Sequence, residues 1–137
     1  MGDRFYKPML FVAAVWNVIG GAFIIFRSDW IFGREGLSVP APPLYYYAWI
    51  ALFMTFGIGY YIVWRNPFAN TNIILLGIIG KLAFSAVFLW NMLAFPGQIP
   101  RLFLIPVVGD LIFVVLFIMF LFYARGKTNA GPDTGRP

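Results

Sequence analysis

Residues 73–93 read IILLGIIGKLAFSAVFLWNML, and the fold turns on how Lys81 can sit in the middle of them. The run is long enough for a membrane-spanning helix, which needs about 20 mostly apolar residues. An ammonium group at that depth is expensive, so it normally faces the bundle interior or a water-filled cavity and has a partner. The next apolar run, 102–124, reads LFLIPVVGDLIFVVLFIMFLFYA and carries one charge of its own, Asp110. No other Asp, Glu, Lys or Arg occurs in either run. The sequence therefore predicts a buried ion pair between two adjacent spanning helices.

Two further apolar runs complete the chain. Residues 8–26 follow Arg4 and Lys7, are longer than the core of a signal peptide, and lack a small-x-small cleavage site, so a retained span is expected. Residues 44–64 open with Tyr45, Tyr46, Tyr47 and Trp49 and close with Tyr60, Tyr61 and Trp64, the pattern of aromatic belts at two interfaces. The expected architecture is all-α: an integral membrane protein with a four-transmembrane-helix, up-down bundle over 1–124. Its spans are near 8–26, 44–64, 72–93 and 102–124. A polar tail over 125–137, rich in Gly, Pro and Thr, is expected to be disordered. The longest loop, 27–43, contains Trp30, Ile31 and Phe32. It predicts a short interfacial helix capped by Ser28 or Asp29, apolar side down, stopped by the prolines at 40, 42 and 43.

Composition excludes several chemistries. Hydrophobic residues make up 61% of the 137 and charged residues 11%, against about 25% charged in soluble domains. There is no Cys and no His, which removes thiolate chemistry, disulfides and nearly every zinc or haem site. Of the five acids only Asp110 lies in a span, so paired-carboxylate catalysis has no raw material. The net charge of +5 comes from residues flanking the spans, where they act as topology signals and lipid contacts, and nucleic acid is not an expected partner.

The polar residues inside the spans share one depth. At ~1.5 Å per residue, Lys81 lies ~15 Å beyond Thr71, and Asp110 ~14 Å beyond Arg101 on the opposite side. Asn17 stands ten positions past Lys7, and Thr55 ten before Arg65. Each span thus offers one residue to a midplane layer of Asn17, Thr55, Lys81 and Asp110. Small residues at spacing four accompany them: Ala13 and Gly21 around Asn17, Ala51 and Gly59 around Thr55, Gly77 and Ser85 around Lys81. Such stripes let helix backbones approach closely.

The segments FGIGYY at 56–61, RNP at 65–67 and LGIIGK at 76–81, with AVWN at 14–17 and GD at 109–110, resemble a pattern in small four-span bacterial membrane proteins of the DoxX-like group. The resemblance covers 13–110. It implies a four-helix bundle in a bacterial inner membrane and, from some members of the group, an association with quinone-linked redox systems. It carries over no catalytic residue.

The leading functional expectation is a non-catalytic subunit or scaffold of a larger membrane complex, with membrane lipids and other integral subunits, or copies of itself, as partners. Two rivals stand beside it: a small-ligand or ion/proton transport protein using Lys81 and Asp110, and a quinone-associated redox component. No enzymatic activity, no metal site and no resident cofactor are expected. A quinone or another apolar ligand belongs to the rival readings.

Orientation follows from the flanking cations. Arg4, Lys7, Arg65, Arg125, Lys127 and Arg136 lie on the side of both termini, and Arg27, Arg34 and Arg101 on the other. Cytoplasmic loops carry the excess, so both termini are expected in the cytoplasm of an inner-membrane protein. Cysteines placed at Gly2 and Gly131, in a chain with none of its own, should both resist a membrane-impermeant thiol reagent in intact cells. Labelling of both would reverse the topology.

Overall fold

The computed structural model describes residues 2–129. Helix α1 spans Asp3–Phe26, a short α2 Ser28–Gly33, α3 Leu44–Arg65 and α4 Thr71–Ala94. One turn of 3-10 helix, Arg101–Phe103, leads into α5, Leu104–Asn129. No strand occurs among the described residues. The protein is all-helical, and α1, α3, α4 and the 3-10 turn with α5 are each long and apolar enough to cross a membrane. The outer surface fits that environment, because Ile19, Leu52, Ile79, Val87 and Phe122 all point outward, a surface no soluble bundle keeps in water.

The helices form a ring in the order α1, α3, α4, α5, closed by contacts between α5 and α1. The first turn of α1 meets the last turns of α5, where Asp3 accepts from the Tyr123 hydroxyl at 2.6 Å and from Lys127 at 2.8 Å. Phe68, in the turn between α3 and α4, packs on Tyr123, so this turn lies at the same end. α5 continues past the expected boundary at Ala124 as far as Asn129, with Lys127 helping to clasp it to α1. The rest of the expected tail, 130–137, lies outside the described residues.

Packing around the ring is uneven. α1 against α3, and α4 against α5, are the close pairs; α3 against α4, and α5 against α1, are looser seams. Gly57 explains the first close pair. A Cβ there would stand 2.7 Å from Val18, 3.0 Å from the Ala14 carbonyl oxygen and 3.0 Å from the Asn17 Cβ. The missing side chain lets α3 lie on the backbone of α1.

The 27–43 segment is more than an interfacial helix. α2 turns Ile31 and Phe32 into the bundle, where they pack with Ile24, Tyr46, Ile50 and Phe103. Ser28 does not cap it. Its hydroxyl donates back to the Ile24 carbonyl at 2.8 Å and meets the Tyr46 hydroxyl at 3.3 Å. Gly36 (φ +70°) ends the unit in the left-handed conformation, which lets the Leu37 N–H reach the Phe32 carbonyl at 3.0 Å. Of the expected aromatic belts, Tyr45, Tyr47 and Tyr61 face outward, but Tyr46 and Tyr60 point inward.

Gly57→Ala should push α1 and α3 apart and destabilise the protein by roughly 1–3 kcal/mol, the usual cost of overpacking. Gly126→Ala on α5, where a Cβ meets nothing within 4 Å, should instead be neutral or stabilising by up to about 1 kcal/mol. Unfolding in mixed micelles checks both. Equal effects would remove the close α1–α3 contact.

Candidate functional site: a buried charge cluster

The core divides into two apolar clusters. One holds Leu10, Tyr60, Ile74, Phe113, Phe117 and Phe120, towards the end where α1 begins and α5 finishes. The other holds Ile24, Ile31, Ile50 and Phe103, beneath α2. Lys81, Asp110 and Asn17 belong to neither cluster and are 4%, 1% and 1% exposed.

The ion pair predicted from the sequence is present. The Lys81 ammonium donates to Asp110 Oδ1 across the close α4–α5 contact. It also donates to Asn17 Oδ1 at 3.3 Å. Asn17 in turn donates from Nδ2 to the Phe53 backbone carbonyl at 2.9 Å. A single polar chain therefore runs from α5 through α4 and α1 to α3. It ties the two close helix pairs together through the Lys81–Asn17 bond, which runs diagonally across the ring from α4 to α1. In a low-dielectric interior each of these bonds is stronger than in water, and each lost partner costs correspondingly more.

Aromatic rings enclose the ammonium. Its Nζ lies 5.8 Å from the centre of the Phe53 ring, 5.6 Å from Tyr60 and 5.4 Å from Phe113. Rings within ~6 Å attract a cation through their negative faces, more so when it is desolvated. The carboxylate has a neighbour as well. The Trp16 indole lies over Gly109, where a Cβ would come within 2.5 Å of Cζ2. The indole N–H is buried without a hydrogen-bond partner. The Tyr60 hydroxyl and Ser85 Oγ are likewise buried and unpartnered.

Three of the four expected layer residues come together. Thr55 does not: it is exposed on the outside of α3, and its hydroxyl donates to the Ala51 carbonyl of its own helix at 2.8 Å. That internal bond is the reason it can face lipid, because a hydroxyl satisfied within its own turn needs no neighbour. The inward face of α3 is Ile50, Phe53, Gly57, Tyr60 and Val63 rather than Ala51, Thr55 and Gly59. The stripes on α1 and α4 are as expected, with Ala13, Asn17 and Gly21, and Gly77, Lys81 and Ser85, all buried. Tyr60 and the Phe53 carbonyl escaped the sequence reading. The signal for Tyr60 was its spacing from Phe53 and Gly57, which places the three on one helix face.

Fold and site together define a four-span helical membrane protein with a buried, internally paired charge midway along its helices. Against known protein families, curated proteins and solved structures, the chain matches none.

Lys81→Met and Asp110→Leu should each destabilise the protein. Breaking a buried pair costs roughly 3–5 kcal/mol in soluble proteins, and less where the unfolded chain stays in the bilayer and finds other partners. The double variant should recover much of the loss. Thr55→Val should be neutral within about 0.5 kcal/mol. A double-mutant cycle by unfolding in mixed micelles reads the coupling, and strictly additive single costs would exclude the pair.

Proposed function

We propose that this chain is a small, non-catalytic integral protein of a bacterial inner membrane. Both ends of the bundle's chain lie on the cytoplasmic side, and the protein acts as a subunit or scaffold packed against other spanning helices or copies of itself. One observation carries this: the charged cluster is used up inside the bundle, while the outer face is broadly apolar. Lys81 is neutralised by Asp110 and bridged to Asn17, and the turns 66–70 and 95–100 between spanning helices are short. A pair so enclosed serves best to fix which helix faces meet, a role in which buried polar groups are best attested. The cation bias supports the orientation, and the DoxX-like pattern supports the placement in an inner membrane.

A photo-crosslinking residue placed at Leu76 or Ile112, both outward-facing, should give discrete protein adducts in native membranes. The neutral double variant Lys81→Met/Asp110→Leu should give the same adducts, because a register device tolerates replacement by apolar side chains. Lipid adducts alone, with the extracted chain running as a monomer, would overturn the subunit reading. A folded double variant that loses its adducts, or that abolishes a proton or ion flux shown by the wild type in vesicles, would make the charges functional instead.

A further inference from the structure

Beside the charge cluster the loose α3–α4 seam holds a cavity of about 180 Å³. Its polar end is formed by Lys81, Asp110, Asn17 and Tyr60, and its walls are the rings of Trp49, Phe53, Phe56 and Phe84. Leu52, which also lines it, faces outward, so the cavity reaches the lipid side of the bundle. We propose that this cavity binds a small, neutral, lipid-soluble molecule: one aromatic ring bearing a single hydrogen-bonding oxygen, of the size of a phenol.

Four observations define that ligand. The first is size: an apolar cavity of roughly 150 Å³ accepts one benzene ring. The second is shape. Trp49 and Phe84 stack on each other across the seam, 5.3 Å apart and 11° from parallel, and with Phe53 and Phe56 they make the wall aromatic, a lining that favours the edge or face of an aromatic guest.

The third is the unpartnered hydroxyl of Tyr60, a residue that is fully buried. Gly77 makes room for it, since a Cβ there would stand 2.5 Å from the phenolic oxygen. A buried hydroxyl without a partner costs roughly 1–3 kcal/mol, and a guest oxygen would relieve that cost. Lys81 retains a third N–H beyond those given to Asp110 and Asn17.

The fourth is charge. The cluster is already neutral as a pair, so an anionic guest would compete with Asp110 for Lys81 and add an unbalanced charge in hydrocarbon. With the opening on the lipid side, the guest must first partition into the bilayer.

Fluorine NMR tests this on the full chain in phosphatidylcholine nanodiscs, with 4-fluorophenol, fluorobenzene and 4-fluorobenzoate as probes. 4-Fluorophenol, neutral at neutral pH like other phenols, should show saturable binding above that of empty nanodiscs. Fluorobenzene should bind roughly tenfold more weakly, a difference of about 1.4 kcal/mol, and 4-fluorobenzoate should not saturate. Tyr60→Phe should bring 4-fluorophenol down to the level of fluorobenzene. Gly80→Leu, whose side chain would grow from beside the Phe56 ring into the cavity, should abolish binding while leaving Tyr60 in place. No saturable binding of 4-fluorophenol, equal binding of fluorobenzene, or tighter binding of the benzoate would each overturn the proposal. So would unchanged binding in either variant with its fold retained. If neither variant folds, the three probes on the wild type decide it.

Discussion

An ammonium group surrounded by hydrocarbon has to find its counter-charge within a few ångströms, and most of this structure can be derived from that requirement. Lys81 sits mid-way along α4, too deep for its side chain to reach either membrane surface. Asp110 answers it from α5, and this is why α4 and α5 pack as closely as they do. The pair leaves donor capacity on the amine, and Asn17 takes part of it. Asn17 then has amide protons to place, and the Phe53 carbonyl accepts one. One unfavourable charge thereby fixes the mutual position of all four long helices. Apolar packing alone would not do so, because lipid tails compete for it on nearly equal terms.

The remainder of the packing follows from where side chains are absent. Gly57 and Gly109 allow a neighbouring backbone or a tryptophan ring to fill space that any other residue would occupy. Where two helices come that close, their neighbours around the ring stand further off. The large rings of Phe53, Tyr60, Phe113 and Phe117 bridge the difference. The interior is thus two tight helix pairs joined by aromatic infill, and the polar chain crosses the join.

How far this was legible in the sequence depended on how many ways each side chain had to satisfy itself. Lys81 and Asp110 had one way each, so their pairing and depth could be read directly. Asn17, with a donor and an acceptor to place, was similarly constrained. Thr55 had a second option in the carbonyl of its own preceding turn, and depth alone could not reveal that it had taken it. Tyr60 near the end of a span reads like Tyr61 beside it, since an amphipathic ring suits either an interface or a core; only the helical period separates them. The α2 segment was legible as a helix from its apolar triplet. Its insertion beneath the bundle end depends on Tyr46 and Phe103, which are far off in sequence and packed by the tertiary fold. The charge pair marked α4–α5 as a close pair; α1–α3 was not marked, because the small-residue stripe on α3 was placed at Ala51, Thr55 and Gly59 and left out Gly57, and hydropathy is high in all four runs.

The spacing between the two charges also bears on how the bundle is made. Lys81 precedes Asp110 by 29 residues, so during synthesis α4 is complete before its counter-ion exists. A lone lysine-bearing helix is costly to release into lipid. The helix that cancels the charge follows after one short turn. α4 and α5 are therefore best inserted as a single hairpin, neutral from the moment it leaves the aqueous phase. α1 and α3 carry no charge at that depth and face no such constraint. The order of the chain places the costly helix third and its remedy immediately after, so that Asn17 and the Phe53 carbonyl are already in the bilayer when the amine arrives.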